Sequence, residues 1–179
     1  LATNYEEAIE LYKKYKGNLL GIISDISYER EGKIDDEAGL RLCQVVKKND
    51  KYMPLLLQSS DNASEEMAKK IKVGFINKNS KSLSIELRRF IREYFAFGDF
   101  VFKDPATGME VMRANDLKTM QERIFQVPNE SLQYHIERNH LSKWLRARAL
   151  FPLADLFKMF TPSDFSDSDD TKRFVFDAI

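Results

Sequence analysis

The sequence predicts an α/β protein in which a three-stranded parallel sheet with flanking helices is followed by a mostly α-helical region. Three short apolar runs, 19–24, 55–58 and 73–77, are typical of strands that are covered on both faces. Helical patterns of roughly 10–15 residues separate these runs, which favours right-handed crossovers and parallel pairing. After Gly98 the strand pattern gives way to helical patterns, and no glycine follows Gly108.

Capping residues and apolar spacing define the helices of the first half. Asn4 can cap a helix whose apolar residues repeat at helical spacing, and Gly17 ends it. The charged stretch 28–37 is expected to be a polar loop. Further helices are expected from Gly39 onwards, over 63–72 and over 82–97.

The second half is expected to begin with a short hairpin or loop over 100–113, which contains Pro105 and Gly108. One helix should follow Asp116, and a longer one should run from about 129 to 150. A third should span 153–160, between Pro152 and Pro162. The acidic stretch 163–170 is typical of a solvated linker. We therefore predict two domains, 1–97 and 98–179, the second a helical regulatory or output domain.

Composition narrows the classes of partner and compartment. The 28 basic and 28 acidic residues balance, so no nucleic-acid partner is expected on charge alone. No apolar run reaches the roughly 18 residues that a membrane helix needs, so no membrane partner is expected either. The single cysteine, Cys43, fits a reducing cytoplasm. Because the sequence opens on Leu1 rather than methionine, we expect it to be a fragment of a longer protein.

Polar residues stand at the carboxyl ends of all three predicted strands. Asp25 follows the first, Ser59 and Ser60 close the second, and Lys78 follows the third. Chemistry collects at this edge of a parallel sheet. A carboxylate nucleophile beside a hydroxyl and a cation is what aspartyl-phosphate chemistry requires. Turn and cap formation is the alternative reason for aspartate and serine at such positions.

The order of these residues resembles the last two-thirds of a bacterial response-regulator receiver domain, a flavodoxin-like fold. The run that ends at Asp25 is similar to the third receiver strand, which makes Asp25 the phosphoacceptor. The resemblance makes Ser59 the switch hydroxyl, Lys78 the lysine that contacts the phosphoryl group, and Phe75 the switch aromatic. It also implies a histidine kinase or another phosphodonor as a partner.

The sequence departs from the receiver pattern in ways that affect metal binding. The first two strands and the acidic pair that would hold Mg²⁺ together with Asp25 are missing, and Asn79 stands where a proline is typical. The resemblance therefore implies Mg²⁺ in the intact parent rather than in these residues alone. Without the first receiver strand, the strand 19–24 has an open apolar edge, through which we expect self-association.

A second constellation lies between His135 and Arg148. The two histidines are five residues apart and do not share a helix face, so a metal pair is not expected. On one continuous helix, four residues would share a polar face that is either solvated or a docking face for an anion or a partner: His135, Asn139, Ser142 and Arg146. His140 and Trp144 would instead point into the core. This region resembles helical segments that follow receiver-like domains in bacterial phosphoenolpyruvate synthase-like proteins.

These observations favour a two-component-type signalling or regulatory module, in which a receiver-like domain is coupled to a helical domain that controls a fused or partner effector. The alternative is a pseudo-receiver, an interaction module without phosphorylation at the front of a phosphoenolpyruvate synthase-like enzyme. A DNA-binding output domain is disfavoured because residues 98–179 are slightly acidic and have no glycine after Gly108 for a tight helix–turn–helix. The sequence contains no other catalytic constellation, so we do not expect an autonomous enzyme.

Overall fold

The computed structural model describes all 179 residues, which fall into two compact units, Leu1–Tyr94 and Phe95–Ile179. Each unit has its own hydrophobic core. The division follows Tyr94, the last residue of the final helix of the first unit. No helix is both long enough and apolar enough to cross a membrane.

The first unit contains the predicted three-stranded parallel sheet with flanking helices, which is thereby confirmed. The strands of this sheet pair in the order β1-β4-β5, with Ile22 opposite Leu55 and Leu56 opposite Gly74. Its elements follow one another as α1 (Tyr5–Tyr15), β1 (Ile22–Asp25), β2 (Tyr28–Arg30), β3 (Lys33–Asp35), α2 (Ala38–Asn49), β4 (Leu55–Ser59), α3 (Ala63–Lys70), β5 (Gly74–Asn77) and α4 (Leu83–Tyr94).

Helices cover both faces of this sheet, which explains why its central strand is a continuous apolar run. Leu55 and Leu57 of β4 face a core that includes Val46 of α2. Leu56, between them, points to the opposite face and is also buried. On that face Phe90 of α4 lies directly over the sheet. Both faces exclude water, so the strand needs no polar alternation.

The stretch 28–37 is not the loop that its charges suggested. It contains β2 and β3, which form an antiparallel hairpin joined by Glu31 and Gly32. Both turn residues have positive φ, 53° and 75°, as a two-residue type I′ turn requires. Arg30 and Asp35 pair across the ribbon at 3.3 Å. The prediction was wrong because a hairpin stabilised by charges shows no apolar alternation.

The second unit starts with a hairpin and continues with helices, as predicted. Its elements are β6 (Phe100–Lys103), β7 (Glu110–Ala114), α5 (Leu117–Arg123), α6 (Asn129–Glu137), α7 (His140–Arg146), α8 (Phe151–Met159) and α9 (Ser168–Ala178). Trp144 lies at the centre of the core with only 1% of its surface exposed, which confirms its predicted burial. Its indole nitrogen donates to the carbonyl of Gly98 at 3.1 Å.

Two predictions for this unit are wrong. The helix expected over 129–150 is interrupted at Asn139, which adopts a left-handed conformation with φ 55° and separates α6 from α7. Asparagine tolerates this conformation better than most residues do. The acidic stretch 163–170 is also no linker. Asp167 in that stretch caps α9 by accepting the backbone N–H of Asp170 at 2.8 Å.

Candidate functional site at the carboxyl edge of the sheet

The three parallel strands end at one edge of the sheet and bring the predicted site residues to it. Asp25 is the last residue of β1, Ser59 is the last residue of β4, and Lys78 directly follows β5. The register aligns Asp25 with Gln58 and Ser59 with Asn77, so the strands end nearly level. The parallel order therefore converts residues far apart in sequence into neighbours.

Asp25 and Lys78 form a direct ion pair. The ammonium Nζ of Lys78 donates to Oδ2 of Asp25 at 2.7 Å, and Oδ1 of Asp25 has no hydrogen-bond partner. The side chains are 49% and 38% exposed, so solvent and small solutes reach them. A pair this exposed contributes about 0–1 kcal/mol to stability. It offers a charged carboxylate, one of whose oxygens is free, next to a cation.

Ser59 supplies a hydroxyl and a carbonyl to the same edge. Its carbonyl accepts the backbone N–H of Lys78 at 2.8 Å, which holds the loop after β5 beside the end of β4. Its Oγ accepts the backbone N–H of Asp61 at 3.1 Å and the hydroxyl of Ser64 at 3.4 Å. Both bonds use Ser59 as an acceptor. Its own hydroxyl proton has no acceptor and could be donated to an anion.

Sequence reasoning missed the role of Gly39 at the start of α2. The backbone N–H of Gly39 donates to the carbonyl of Ile26 at 2.9 Å. A Cβ at this position would lie 2.0 Å from the carbonyl oxygen of Asp25. Only glycine allows the first turn of α2 to pack so closely against the chain that carries the candidate nucleophile. A glycine in the first turn of a helix was the available signal.

The side chains of Asn77 and Asn79 fix the loop that carries Lys78. The side-chain oxygen of Asn77 accepts the backbone N–H of Asn79 at 2.6 Å, and its amide nitrogen donates to Asn62 at the start of α3. The side chain of Asn79 donates to the carbonyl of Ser60 at 3.4 Å. These bonds fix the backbone around Lys78.

Phe75 lies inside β5, opposite Leu57, and is half-buried against the core between the sheet and helices α1 and α2. This places the predicted switch aromatic on the strand that leads to Lys78. Its ring contributes to the packing of that strand.

The residues present do not fit a Mg²⁺ ion. Nowhere in the chain do three or more His, Cys, Asp or Glu side chains lie close enough together to hold a metal. Asp25 is the only carboxylate of the predicted set, and Lys78 occupies one of its oxygens. Mg²⁺ takes octahedral oxygen coordination and relies on carboxylates.

The predicted polar face of the second unit does not exist as one surface. His135 and Ser142 are buried, with 4% of their surface exposed. The hydroxyl of Ser142 donates to the carbonyl of Ala154 at 2.8 Å, and Arg146 pairs with Asp155. The left-handed residue Asn139 breaks the helical phase on which the prediction depended. These residues hold α7 against its neighbours and do not present a shared docking face.

The two histidines instead contact each other. Nε2 of His135 accepts the backbone N–H of Lys103 at 3.0 Å, so the proton of this ring is on Nδ1. That Nδ1 lies 2.9 Å from Nδ1 of His140, which must therefore accept. Burial, together with the positive charges of Lys103 and Arg138, lowers the pKa of His135 to about 4. Burial, followed by the neighbouring His135, lowers the pKa of His140.

We compared the chain with protein-family models, curated proteins and solved structures, and none of them matches.

Proposed function

We propose that residues 1–94 form a receiver-like signalling module in which Asp25 accepts a phosphoryl group. The observation that carries the proposal is the 2.7 Å contact between Lys78 and one oxygen of Asp25, at the edge of a parallel sheet where the other oxygen is free. An exposed ion pair of this kind adds little to stability. A role in chemistry is therefore the stronger reason for the arrangement.

In this proposal each side chain has a distinct task. Oδ1 of Asp25 attacks the phosphorus of a small phosphodonor or a phosphohistidine, and the bond from phosphorus to the leaving group breaks. The ammonium of Lys78 then moves from the carboxylate to the new phosphoryl oxygens, whose charge it partly neutralises. The unused hydroxyl proton of Ser59 is available for a further hydrogen bond to those oxygens. Loss of the Asp25–Lys78 pair is the local change that reports phosphorylation.

The proposed module acts through the second unit, residues 95–179, on a fused or partner effector. The helical character of this unit favours a regulatory role. A phosphoenolpyruvate synthase-like enzyme is the effector that the sequence resemblance suggests.

One observation favours a second candidate, a pseudo-receiver that binds a partner without phosphorylation. Asp25 has no neighbouring carboxylates that would complete a Mg²⁺ site, and receiver phosphorylation depends on such an ion. In this alternative, the Asp25–Lys78 pair and the asparagine loop around Asn79 are structural parts of a docking edge.

Phosphorylation with a small donor separates the two candidates. The 179-residue chain is incubated with phosphoramidate and Mg²⁺, and intact-mass spectrometry counts the phosphoryl groups. We expect one group, absent in the Asp25→Asn variant and reduced in the Lys78→Ala variant. Because no further carboxylates beside Asp25 complete a Mg²⁺ site, labelling should be slow.

Asp36→Asn is the matched control, because Asp36 is an exposed aspartate close in sequence to Asp25. This variant should acquire the same phosphoryl label as the wild type. Labelling that survives Asp25→Asn would place the acceptor elsewhere. A chain that acquires no phosphoryl group from phosphoramidate would exclude the phosphoacceptor role and leave the docking module.

A further inference from the structure

The end of the first unit that lies opposite Asp25 includes the carboxyl ends of three helices that precede the parallel strands. Helices α1, α2 and α3 each lead into a strand of the parallel sheet, namely β1, β4 and β5. In this arrangement every helix runs back along the sheet, so its carboxyl end lies at the amino edge of the strands. Features of the three helix ends are therefore collected on one surface.

Specific contacts hold these ends together. Nζ of Lys47, near the end of α2, donates to the carbonyl of Ile71 at 2.8 Å and to the carbonyl of Lys72, both just after α3. Helix α1 packs against α2, and Tyr12 of α1 and Val46 of α2 belong to one buried core. The carboxyl ends of the three helices are therefore neighbours.

Lysines are concentrated on this surface, which we call the lysine pole. It comprises the stretches 13–16, 47–51 and 69–72, each with three lysines, against a single acidic residue, Asp50. These are nine of the twelve lysines in residues 1–94. All except the half-buried Lys47 are exposed. The neutral total charge of the chain conceals this separation.

Helix stabilisation accounts for only part of the pattern. Lysines in the last turn of a helix favourably face its negative end. Lys16, Lys51 and Lys72, however, lie beyond the helical residues themselves. Of the nine lysines only Lys69 has an ion-pair partner, Glu65 at 2.7 Å. The other eight lysines make no ion pair, and their like charges repel one another.

Two exposed tyrosines lie within this field of charge. The rings of Tyr15 and Tyr52 are 44% and 37% exposed. The ammonium groups of Lys14 and Lys51 lie 5.2 Å from their respective ring centres. Proteins that bind single-stranded nucleic acids combine flat aromatic faces with flexible cations, since the bases stack on the rings while the lysines contact the phosphates.

We propose that the lysine pole binds the phosphate backbone of single-stranded nucleic acid without reading its sequence. All nine cations are lysines, which act as point charges and lack the planar fork with which arginine reads base edges. The exposed rings carry hydroxyl groups, and Met67 of α3 is the single large aliphatic side chain exposed on the three helices beside them, too small an apolar area for insertion into lipid. Affinity should therefore depend on charge and on stacking.

Fluorescence anisotropy with a labelled oligouridine tests the proposal on the 179-residue chain. We expect binding at low salt whose logarithmic dependence on salt has a slope of about 0.7 per phosphate contacted. The double variant Lys48→Glu/Lys70→Glu should bind roughly tenfold more weakly, with a slope lower by about 1.4. Tyr52→Leu should also weaken binding, whereas Phe151→Leu, at an exposed aromatic residue of the second unit, should not.

The matched control is Lys33→Glu/Lys81→Glu, which makes the same charge change at exposed lysines outside the pole. Its affinity should stay within about twofold of the wild type, and circular dichroism should show all variants folded. Equal loss in both double variants would mean that only net charge matters and would overturn the proposal. Binding to phosphatidylserine vesicles without binding to oligouridine would overturn it in favour of a membrane surface.

Discussion

Replacing Gly39 with alanine tests how closely α2 packs against the strand that carries Asp25. The added Cβ would lie 2.0 Å from the carbonyl oxygen of Asp25, whereas real Cβ contacts are essentially never shorter than 3.0 Å. Helix and strand must then separate by at least 1.0 Å, the difference between these two distances. The obstacle is backbone, so no side-chain rotation relieves it.

Three contributions set the size of the effect. Overpacking of this kind costs about 1–3 kcal/mol. Weakening of the hydrogen bond from Gly39 to Ile26 costs roughly 1 kcal/mol more. Alanine regains about 0.5–1 kcal/mol through its better helix propensity. The free energy of unfolding of the first unit should therefore fall by roughly 1–3.5 kcal/mol.

Urea unfolding followed by two signals measures this loss. With a slope of about 2 kcal/mol per molar urea, the middle of the usual range, the midpoint seen by far-ultraviolet circular dichroism should fall by roughly 1 M. Trp144 is the only tryptophan and is buried in the second unit, so its fluorescence reports that unit alone. The fluorescence midpoint should not change, which provides an internal control.

Gly74→Ala is the comparison variant. Its Cβ would lie 2.6 Å from a ring carbon of Phe90, a half-buried side chain that can move. The loss should be smaller than for Gly39→Ala. If Gly39→Ala unfolds at the wild-type urea concentration or above it, helix propensity outweighs any clash. The close approach of α2 to Asp25 would then be wrong.

Three further predictions concern other parts of the chain. Burial lowers the folded-state pKa of His135 to about 4, below its unfolded value near 6.5, so the folded state binds fewer protons than the unfolded state. Acidification from pH 6.5 to 4 should therefore destabilise the second unit, by up to about 1.4 kcal/mol per pH unit. His135→Phe should reduce the dependence of the Trp144 fluorescence midpoint on pH. Ala149 has φ 59°, so Ala149→Gly should stabilise the same unit by about 0.5–1 kcal/mol, while Ala147→Gly, at a helical position, should destabilise it; identical shifts in the melting midpoint would refute the strain. We expect self-association through β1, which pairs only with β4, and Ile23→Lys should reduce it in light scattering across a concentration series; a wild-type chain that remains monomeric would contradict this.

The parallel sheet could be predicted because its strands are apolar on both faces. Leu55, Leu56 and Leu57 are all buried, so their run is unambiguous. Because parallel strands have their carboxyl ends at one edge of the sheet, Asp25 and Lys78 could be predicted to lie there, where the structure has them in contact. Periodicity and topology were sufficient at these positions because the apolar residues that mark the buried strand are consecutive in the sequence.

Other features depend on single backbone conformations or on distant partners. Asn139 in the left-handed region reorients everything after it, and no periodicity within 129–150 marks the break. The proximity of Gly39 to Asp25 depends on how a helix docks, which a one-dimensional pattern does not contain. The lysine pole was equally hidden, since the total charge of residues 1–94 is nearly balanced.

The order of strands in the sheet has a consequence for the time course of folding. The β2–β3 hairpin lies between β1 and β4 in sequence and closes through a two-residue turn, so it can form within about 1–10 microseconds. The Asp25–Lys78 contact spans 53 residues and requires two crossovers. Long-range parallel pairings form slowly because loop closure must precede them. The proposed phosphoacceptor site should therefore be complete only when the whole sheet has assembled, and folding intermediates should lack its reactivity.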